Sequence, residues 1–502
     1  MMTTLAQKVL QGIPLTDIPD THFIDGAFTA NRHPGRAKDA SDNQKIASYD
    51  PGSGEIWHQI SAGTAADATQ AIDSAQQAFS QWRDTPPALR AKILRDSADL
   101  IAQHSEKLAV VEALDSGKSL IDAQCDIVSV QKYLHYYAGA ADKLEGQTIP
   151  LGPDFISMNL IEPVGVTAHI VPWNYPISTM MRGVAPALAA GCTAVVKPAE
   201  TTSVSALMVA QLMAQAGLPA GVCNVVTGLG AELGPTLCQH RDTRHITFTG
   251  SVATGSQVMS MAAKNIASLT LELGGKSPAI VLADADIDAA AEDFVMAIYE
   301  NSGQVCSAGS RLIIHRSVHQ EFLAKFMLKA RKLVLGHALR SPDIGSINSV
   351  AQLQKISGFV DDARARGLDV IMGGNAIGDP LTGRGWFYEP TIIDNVQLAD
   401  PLVQQEIFGP VLAVQIVDSA EQALSYANGT DFGLAACVYS RDISSSLKLA
   451  RDLDAGVITV NQYYAGGVST PFGGTKKSGF GREKGLTALE AYTKVKNVTI
   501  KL

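Results

Sequence analysis

Cysteine is sparse and unpatterned in this chain. Six cysteines among 502 residues (Cys125, Cys192, Cys223, Cys238, Cys306 and Cys437) show no C-x-x-C pair and no other metal-ligand spacing. No metal site is therefore expected, and a disulfide framework is implausible at this length. Most lie in apolar contexts such as Ala190-Gly191-Cys192-Thr193-Ala194, so free buried thiols are expected at the five positions other than Cys306. Basic charge is also short: 40 Lys and Arg stand against 49 Asp and Glu, a formal net charge of −9. With no large basic footprint, nucleic acid and membrane surfaces are not expected as partners. No apolar run reaches the length of a membrane span, and Met1–Leu15 has one lysine and no stretch suited to a signal peptide. The cytoplasm is the expected location. Internal repeats and low-complexity stretches are missing too.

What remains is the composition of an ordinary soluble enzyme, 46% hydrophobic and 18% charged, on a chain long enough for two or three domains. The first forty-odd residues read as a polar arm, with Phe23-Ile24-Asp25-Gly26 as a short strand and turn. From Ala65 to Val130 apolar residues recur at helical spacing; Leu94, Ala98 and Ile101 share a face that Ile93 and Leu100 widen. Between Val164 and Leu273 short β-branched strands alternate with helices. Strands are expected at Val164–Val171, Thr193–Lys197, Cys223–Thr227 and His245–Phe248. Helices are expected over Ser178–Ala190 and from a Thr201 or Thr202 cap to Gly217. A second such run, with strands at Ser277–Leu282, Arg311–His315 and Val411–Val417, continues to about Gly456. Alternation of this kind implies α/β units with parallel sheets. Two outlying segments, about 141–160 and the alternating Tyr492–Ile500, are expected to pair with each other or with another subunit.

The chemistry concentrates in glycine-containing signatures. Glu272 opens Glu272-Leu273-Gly274-Gly275-Lys276, and Cys306 closes Ser302-Gly303-Gln304-Val305-Cys306. A cysteine supplies an intrinsically strong nucleophile, and a glutamate supplies a base near neutral pH if its pKa is raised. On separate elements, flanking a joint near Gly274-Gly275, they suggest covalent catalysis with release by water in an interdomain cleft. Gly250 and Ser251 follow a strand and open a helix, a place for a pyrophosphate; taken alone, a tight turn is an equal alternative. Lys197 and Glu200 end another strand, as ribose contacts or as a surface ion pair. Asn174, in Pro172-Trp173-Asn174-Tyr175-Pro176, suits an oxyanion contact, although asparagine in a proline-rich turn is more often structural. Glu406 and Phe408 would face one side of a strand, as cofactor contacts or as a solvated glutamate and a core ring.

Taken in order, the motifs PWNYP (172–176), KPAE (197–200), FTGS (248–251), ELGGK (272–276), GQVCSAGSR (303–311), EIFGPV (406–411) and PFGGTKKSGFGRE (471–483) resemble the NAD(P)-dependent aldehyde dehydrogenase superfamily over nearly the whole chain. The resemblance implies a Rossmann-variant NAD-binding domain (1–140 and 161–274), an α/β catalytic domain (275–477) and oligomerisation strands (141–160 and 485–502), in a homodimer or homotetramer. It implies Cys306 as nucleophile, Asn174 in the oxyanion hole, Glu272 activating water and Glu483 relaying a proton. Lys197 and Glu200 would hold the adenosine ribose, Trp173, Gly250 and Ser251 the phosphates, and Glu406 and Phe408 the nicotinamide side. Glu200 would repel a 2′-phosphate, which favours NAD over NADP.

The substrate is less determined. Tyr175 stands where phenylalanine is frequent in the family, and Arg182 where betaine-aldehyde and many aliphatic-aldehyde members carry tryptophan. Arginine is found there in succinic-semialdehyde and some benzaldehyde-type members. Arg182 is thus read either as a carboxylate clamp or as a partner of Glu300, with Gln462, Tyr463 and Tyr464 shaping the tunnel mouth. A carboxylated semialdehyde and an aromatic aldehyde carry equal weight, with other short or polar aldehydes as the remaining alternative. The rivals are a CoA-acylating enzyme, which needs no water-activating base, and a non-catalytic binding or structural member.

Overall fold

Two sheets built mainly of parallel strands organise the chain, and the computed structural model describes residues 3–29 and 44–502. Part of the expected polar arm falls on residues 30–43, outside the described residues. The strand and turn read at Phe23–Gly26 are present, as His22–Ile24 paired antiparallel with Ala27–Thr29.

The first sheet runs in the order Ala27–Thr29, His22–Ile24, Cys223–Val225, Thr193–Lys197, Val166–Ile170, Thr243–Thr249, Ser268–Glu272 and Gly479–Phe480. The five strands from Cys223–Val225 to Ser268–Glu272 are mutually parallel. A parallel sheet needs helices on both faces, and the residues of Thr193–Lys197 divide accordingly. Val195 joins the core of Ala68, Ala71 and Ile72 from the helix Ala65–Asp84. Its neighbours Ala194 and Val196 point the other way, into the core of Met180, Val184 and Leu207. The helical spacing over 65–130 resolves into the helices Ala65–Asp84, Pro87–Gln103, Ser105–Ser116 and Leu120–Ala140.

Two helix starts differ from the sequence reading. The helix expected at Ser178 begins at Pro176, whose ring presets φ for a first turn, and ends at Gly191 with φ 97°. The helix expected from Thr201 or Thr202 spans Val204–Gln215, because residues 199–202 first close a turn in which the Thr202 N–H donates to the Ala199 carbonyl at 3.1 Å.

The chain passes into the second sheet between Glu272 and Pro278. Its order is Asp369–Met372, Thr391–Asp394, Val411–Val417, Arg311–His315, Pro278–Val281, Ala435–Tyr439 and Val457–Val460. The outlying segments pair with each other: Thr493–Lys501 runs antiparallel to Phe155–Pro163, from Thr493 opposite Pro163 to Lys501 opposite Phe155, and Gln147–Ile149 adds a third strand. Among the described residues no helix is long and apolar enough to cross a membrane. All six cysteines are free, and four are buried as expected; Cys125 is exposed, because it lies on the outer face of the helix Leu120–Ala140.

Candidate active site

Four parallel strands of the first sheet end on one crevice. Val166–Ile170 hands over to Pro172-Trp173-Asn174, Thr193–Lys197 ends on Lys197, Thr243–Thr249 leads to Gly250 and Ser251, and Ser268–Glu272 ends on Glu272. Such carboxyl ends are where α/β sheets place ligands. Cys306 arrives from the second half of the chain, after the helix Ile287–Tyr299. The approach is strained: Asn301, Ser302 and Gly303 take φ of 48°, 58° and 70° in succession. Hydrogen bonds hold them there, with Ser302 Oγ donating to the Gly345 carbonyl (2.8 Å) and Gln304 Nε2 to the Asn301 carbonyl (3.0 Å). Gly274 and Gly275 let the two halves meet, since a Cβ on Gly274 would strike the Glu406 carboxylate and one on Gly275 the Cys306 carbonyl.

A chamber of about 170 Å³ brings together Asn174, Tyr175, Arg182, Glu272, Cys306 and Phe408. Asn174 is fixed at two points: its side-chain Nδ2 donates to the Gln304 carbonyl at 2.8 Å, and its backbone carbonyl accepts from Asn301 Nδ2 at 3.2 Å. Nδ2 keeps a second N–H for the chamber. Burial pushes the Cys306 thiol up to about 11, with Arg182 pulling it down and Glu272 pushing it further up. Glu272 is buried, and neither of its carboxyl oxygens has a hydrogen-bond partner among the described residues. Burial first, and the Glu483 charge second, hold its pKa well above the ordinary carboxylate range, against the opposing pull of Arg182. A carboxyl so placed is a base in waiting.

Arg182 corrects the sequence reading. It pairs with Glu483, not with Glu300. Glu300 instead accepts from the Tyr175 hydroxyl at 3.0 Å, and burial raises its pKa to about 7. The pairing follows from the chain's return after Gly479–Phe480, which carries Glu483 back beneath the helix that bears Arg182. Glu483 is buried, and burial raises its pKa while Arg182 lowers it. Arg182→Met is expected to cost about 3 kcal/mol of stability, because it strands a buried carboxylate. Chemical denaturation checks this; an unchanged unfolding free energy would mean that the pair contributes nothing to the fold.

A cleft of about 1150 Å³ adjoins the chamber, lined by Lys197, Glu200, Gly230 and the N-terminal turn of the helix Val252–Ala262. Pro172, Trp173, Thr249, Gly250 and Ser251 line both spaces. Lys197 Nζ donates to Glu200 at 2.8 Å, and the pair joins a buried lysine to a carboxylate that is partly exposed at the cleft. Ser251 caps its helix by accepting from the Thr254 N–H at 3.2 Å, while the Gly250 N–H is already bonded to the Glu272 carbonyl at 3.0 Å. Glu406 and Phe408 are not in a strand, contrary to expectation: Phe408 has φ 60°, and the strand starts only at Val411. The turn nevertheless serves both, since Glu406 accepts the Gly275 N–H at 3.0 Å and Phe408 meets Trp173 edge-on at 5.3 Å. Gln352 and Lys355 also line the chamber and were missed in the sequence. Gln352 Nε2 anchors the turn by donating to the Phe408 carbonyl at 2.8 Å. They lie on the helix Val350–Ala365, where no local signal marks them.

On the other side of Cys306, Tyr463 is buried and donates to the Ser307 carbonyl (2.9 Å), and Tyr464 donates to the Ala297 carbonyl (3.1 Å). Gln462 is exposed and does not line the cavity that these tyrosines border. Phe472 and Lys484 do line it and were missed as site residues.

Residues 38–498 match the family model described as "Aldehyde dehydrogenase family". The chain is 40% identical to an aminoacetaldehyde dehydrogenase of Pseudomonas aeruginosa, over 100% of this chain and 99% of the relative. It is 39% identical to a betaine aldehyde dehydrogenase of Bacillus subtilis, over 95% and 96%. Its structure is similar to that of an indole-3-acetaldehyde dehydrogenase in complex with NAD+, with a TM-score of 0.95, 37% identity and complete coverage of both chains.

Proposed function

The chain belongs to the aldehyde dehydrogenase family and is an NAD-dependent enzyme, and we propose that it oxidises an aromatic or acid-bearing aldehyde to the carboxylic acid through a thioester on Cys306. The observation that carries this reading is one small chamber holding Cys306, Glu272 and Asn174 against a cleft of dinucleotide size. The cleft residues fit NAD. Lys197 and Glu200 offer hydroxyl-binding groups, Ser251 and the helix N-terminus face the space for phosphates, and Glu406 and Phe408 stand at the chamber end. Bound there, NAD supplies a hydride acceptor.

The Cys306 thiol first loses its proton to solvent water; the thiolate then adds to the aldehyde carbon, and the carbonyl oxygen becomes an alkoxide. The second Asn174 N–H and the Cys306 backbone N–H receive that charge. Loss of hydride from the same carbon leaves the thioester. Glu272 then takes a proton from water, the hydroxide adds to the acyl carbon, and the thiolate departs with the acid released. Arg182 favours the thiolate electrostatically and holds Glu483, which tunes Glu272 by its charge.

Glu272 in the chamber argues against CoA acylation, and the intact trio argues against a non-catalytic role. Apolar side chains left exposed on the outlying sheet, among them Phe155, Ile156 and Val495, support a homo-oligomer formed there. The test is NADH formation over a panel of succinic semialdehyde, betaine aldehyde, benzaldehyde and a hydroxybenzaldehyde without CoA. Equimolar acid and NADH are the expected result; NADH only when CoA is present would overturn the hydrolytic reading.

A further inference from the structure

A third cavity, of about 180 Å³, borders Ser307, the residue after Cys306. Two tyrosines, Tyr463 and Tyr464, and the Phe472 ring line it, and Lys484 is the one charged residue in that lining. The position of Lys484 is built rather than incidental. Its φ is 60°, unusual for a residue with a side chain. The turn around it is pinned on both sides. Phe472 and Glu483 exchange backbone hydrogen bonds at 2.7 and 2.8 Å, and the Gly485 N–H donates to the Val468 carbonyl at 2.7 Å. The Tyr137 hydroxyl donates to the Gly485 carbonyl at 3.0 Å.

This turn sends neighbouring side chains to different places. Glu483 goes inward to Arg182, and Lys484 lies over Phe472 with Nζ 4.9 Å from the ring centroid. The Arg182 guanidinium carbon is 5.1 Å from the same centroid. Phe472 is therefore shared by Arg182, which is ion-paired with Glu483, and Lys484, which makes no ion pair among the described residues and feels the Glu483 and Glu272 charges only at longer range. Burial, and then the Arg182 charge, pull the Lys484 pKa down to about 8, with Glu483 and Cys306 opposing. An ammonium in that setting is stabilised by an anion brought into the cavity. Glu300 is bonded to Tyr175 and absent from the lining, although its charge acts on Tyr464 at the cavity wall.

We propose that Lys484 is the specificity residue for an aldehyde with a remote carboxylate, its ammonium receiving the carboxylate while the carbonyl carbon reaches Cys306. This rests on the aldehyde-oxidising reading and chooses within it, since Arg182 is already committed to Glu483.

Two matched pairs test it: succinic semialdehyde against butanal, and para-carboxybenzaldehyde against benzaldehyde, each measured as kcat/KM. In Lys484→Met the acid-to-neutral ratio is expected to fall roughly tenfold or more, mainly through KM, as for loss of a charged hydrogen bond. Lys484→Arg is expected to keep most of the ratio. Methionine and arginine, like lysine, are unbranched at Cβ, so the cost of the positive φ cancels between the variants. An unchanged ratio in Lys484→Met, or an equal loss in both variants, overturns the assignment. Should Lys484→Met fail to fold, the unaltered enzyme still answers. Added salt is expected to raise KM for the acid-bearing members and not for the neutral ones, and a flat response counts against Lys484. NADH from the neutral aldehydes with no preference for the acids sinks the Lys484 assignment alone; no NADH from any of the four sinks the aldehyde reading beneath it.

Discussion

Cys306→Ala is expected to lower turnover by roughly 10⁴-fold or more while leaving NAD affinity intact, measured by steady-state NADH formation and calorimetric titration. The size of the loss follows from the covalent route: without sulfur, neither the thiohemiacetal nor the thioester forms, and the chamber holds no second thiol. Cys192, Cys223, Cys238 and Cys437 are buried elsewhere and do not line it. Ser307 is adjacent, but a hydroxyl is a far weaker nucleophile at neutral pH. NAD affinity is spared because the large cleft is lined without Cys306. The thiol's raised pKa, about 11, adds a second readout. Only the thiolate alkylates, so the rate of Cys306 alkylation in the cofactor-free enzyme is expected to rise with pH into the alkaline range. Arg182→Met removes the charge that favours the thiolate and is expected to move that rise to still higher pH. A rate already level at neutral pH would contradict the protonated thiol.

Glu272→Gln carries the second-largest expected effect, a fall in deacylation of roughly 10²–10³-fold with acyl transfer to Cys306 spared. Rapid mixing should then show a burst of NADH stoichiometric with enzyme, followed by slow turnover, because the thioester accumulates. The pH dependence has a definite sign. The base acts only when ionised, and burial with Glu483 nearby raises its pKa. Deacylation by the unaltered enzyme therefore climbs as pH rises through that raised value, whereas in Glu272→Gln the climb disappears. Stability moves the other way. A carboxyl with a raised folded pKa binds its proton more tightly in the fold than in the unfolded chain. Its destabilising contribution is absent below the unfolded pKa and grows as pH rises towards the folded one. Glu272→Gln is accordingly expected to raise Tm, and more so at alkaline than at acid pH. Equal deacylation rates for the two proteins at every pH would remove Glu272 from the role of base.

Thr193–Lys197 of the first sheet and Arg311–His315 of the second were legible because each is a short apolar run rich in β-branched residues, and both lie where that pattern puts them. Glu272 and Cys306 were legible for a related reason: the glycines that let them approach each other are their own neighbours in sequence. Phe408 was read as strand because alternation looks the same whether or not the next residues pair, and the positive φ belongs to a turn that Gln352 braces from a distant helix. Arg182 was read either as a substrate clamp or as a partner of Glu300, and Glu483 was not weighed as its partner. Both Glu300 and Glu483 lie far beyond it along the chain, Glu483 much the farther, so spacing could not show which one packing would bring to it.

By itself, then, the sequence determined the α/β class and the family, and it singled out Cys306 and Glu272 as the proposed nucleophile and base. All of these are written in local patterns of a few neighbouring residues. Only the tertiary structure decided which groups meet: Arg182 with Glu483, Glu300 with Tyr175, and Lys484 over the Phe472 ring without an ion pair among the described residues. The physical reason is that a buried charge takes the partner that packing delivers, and that delivery depends on how the return of the chain through Gly479–Phe480 closes onto the first sheet.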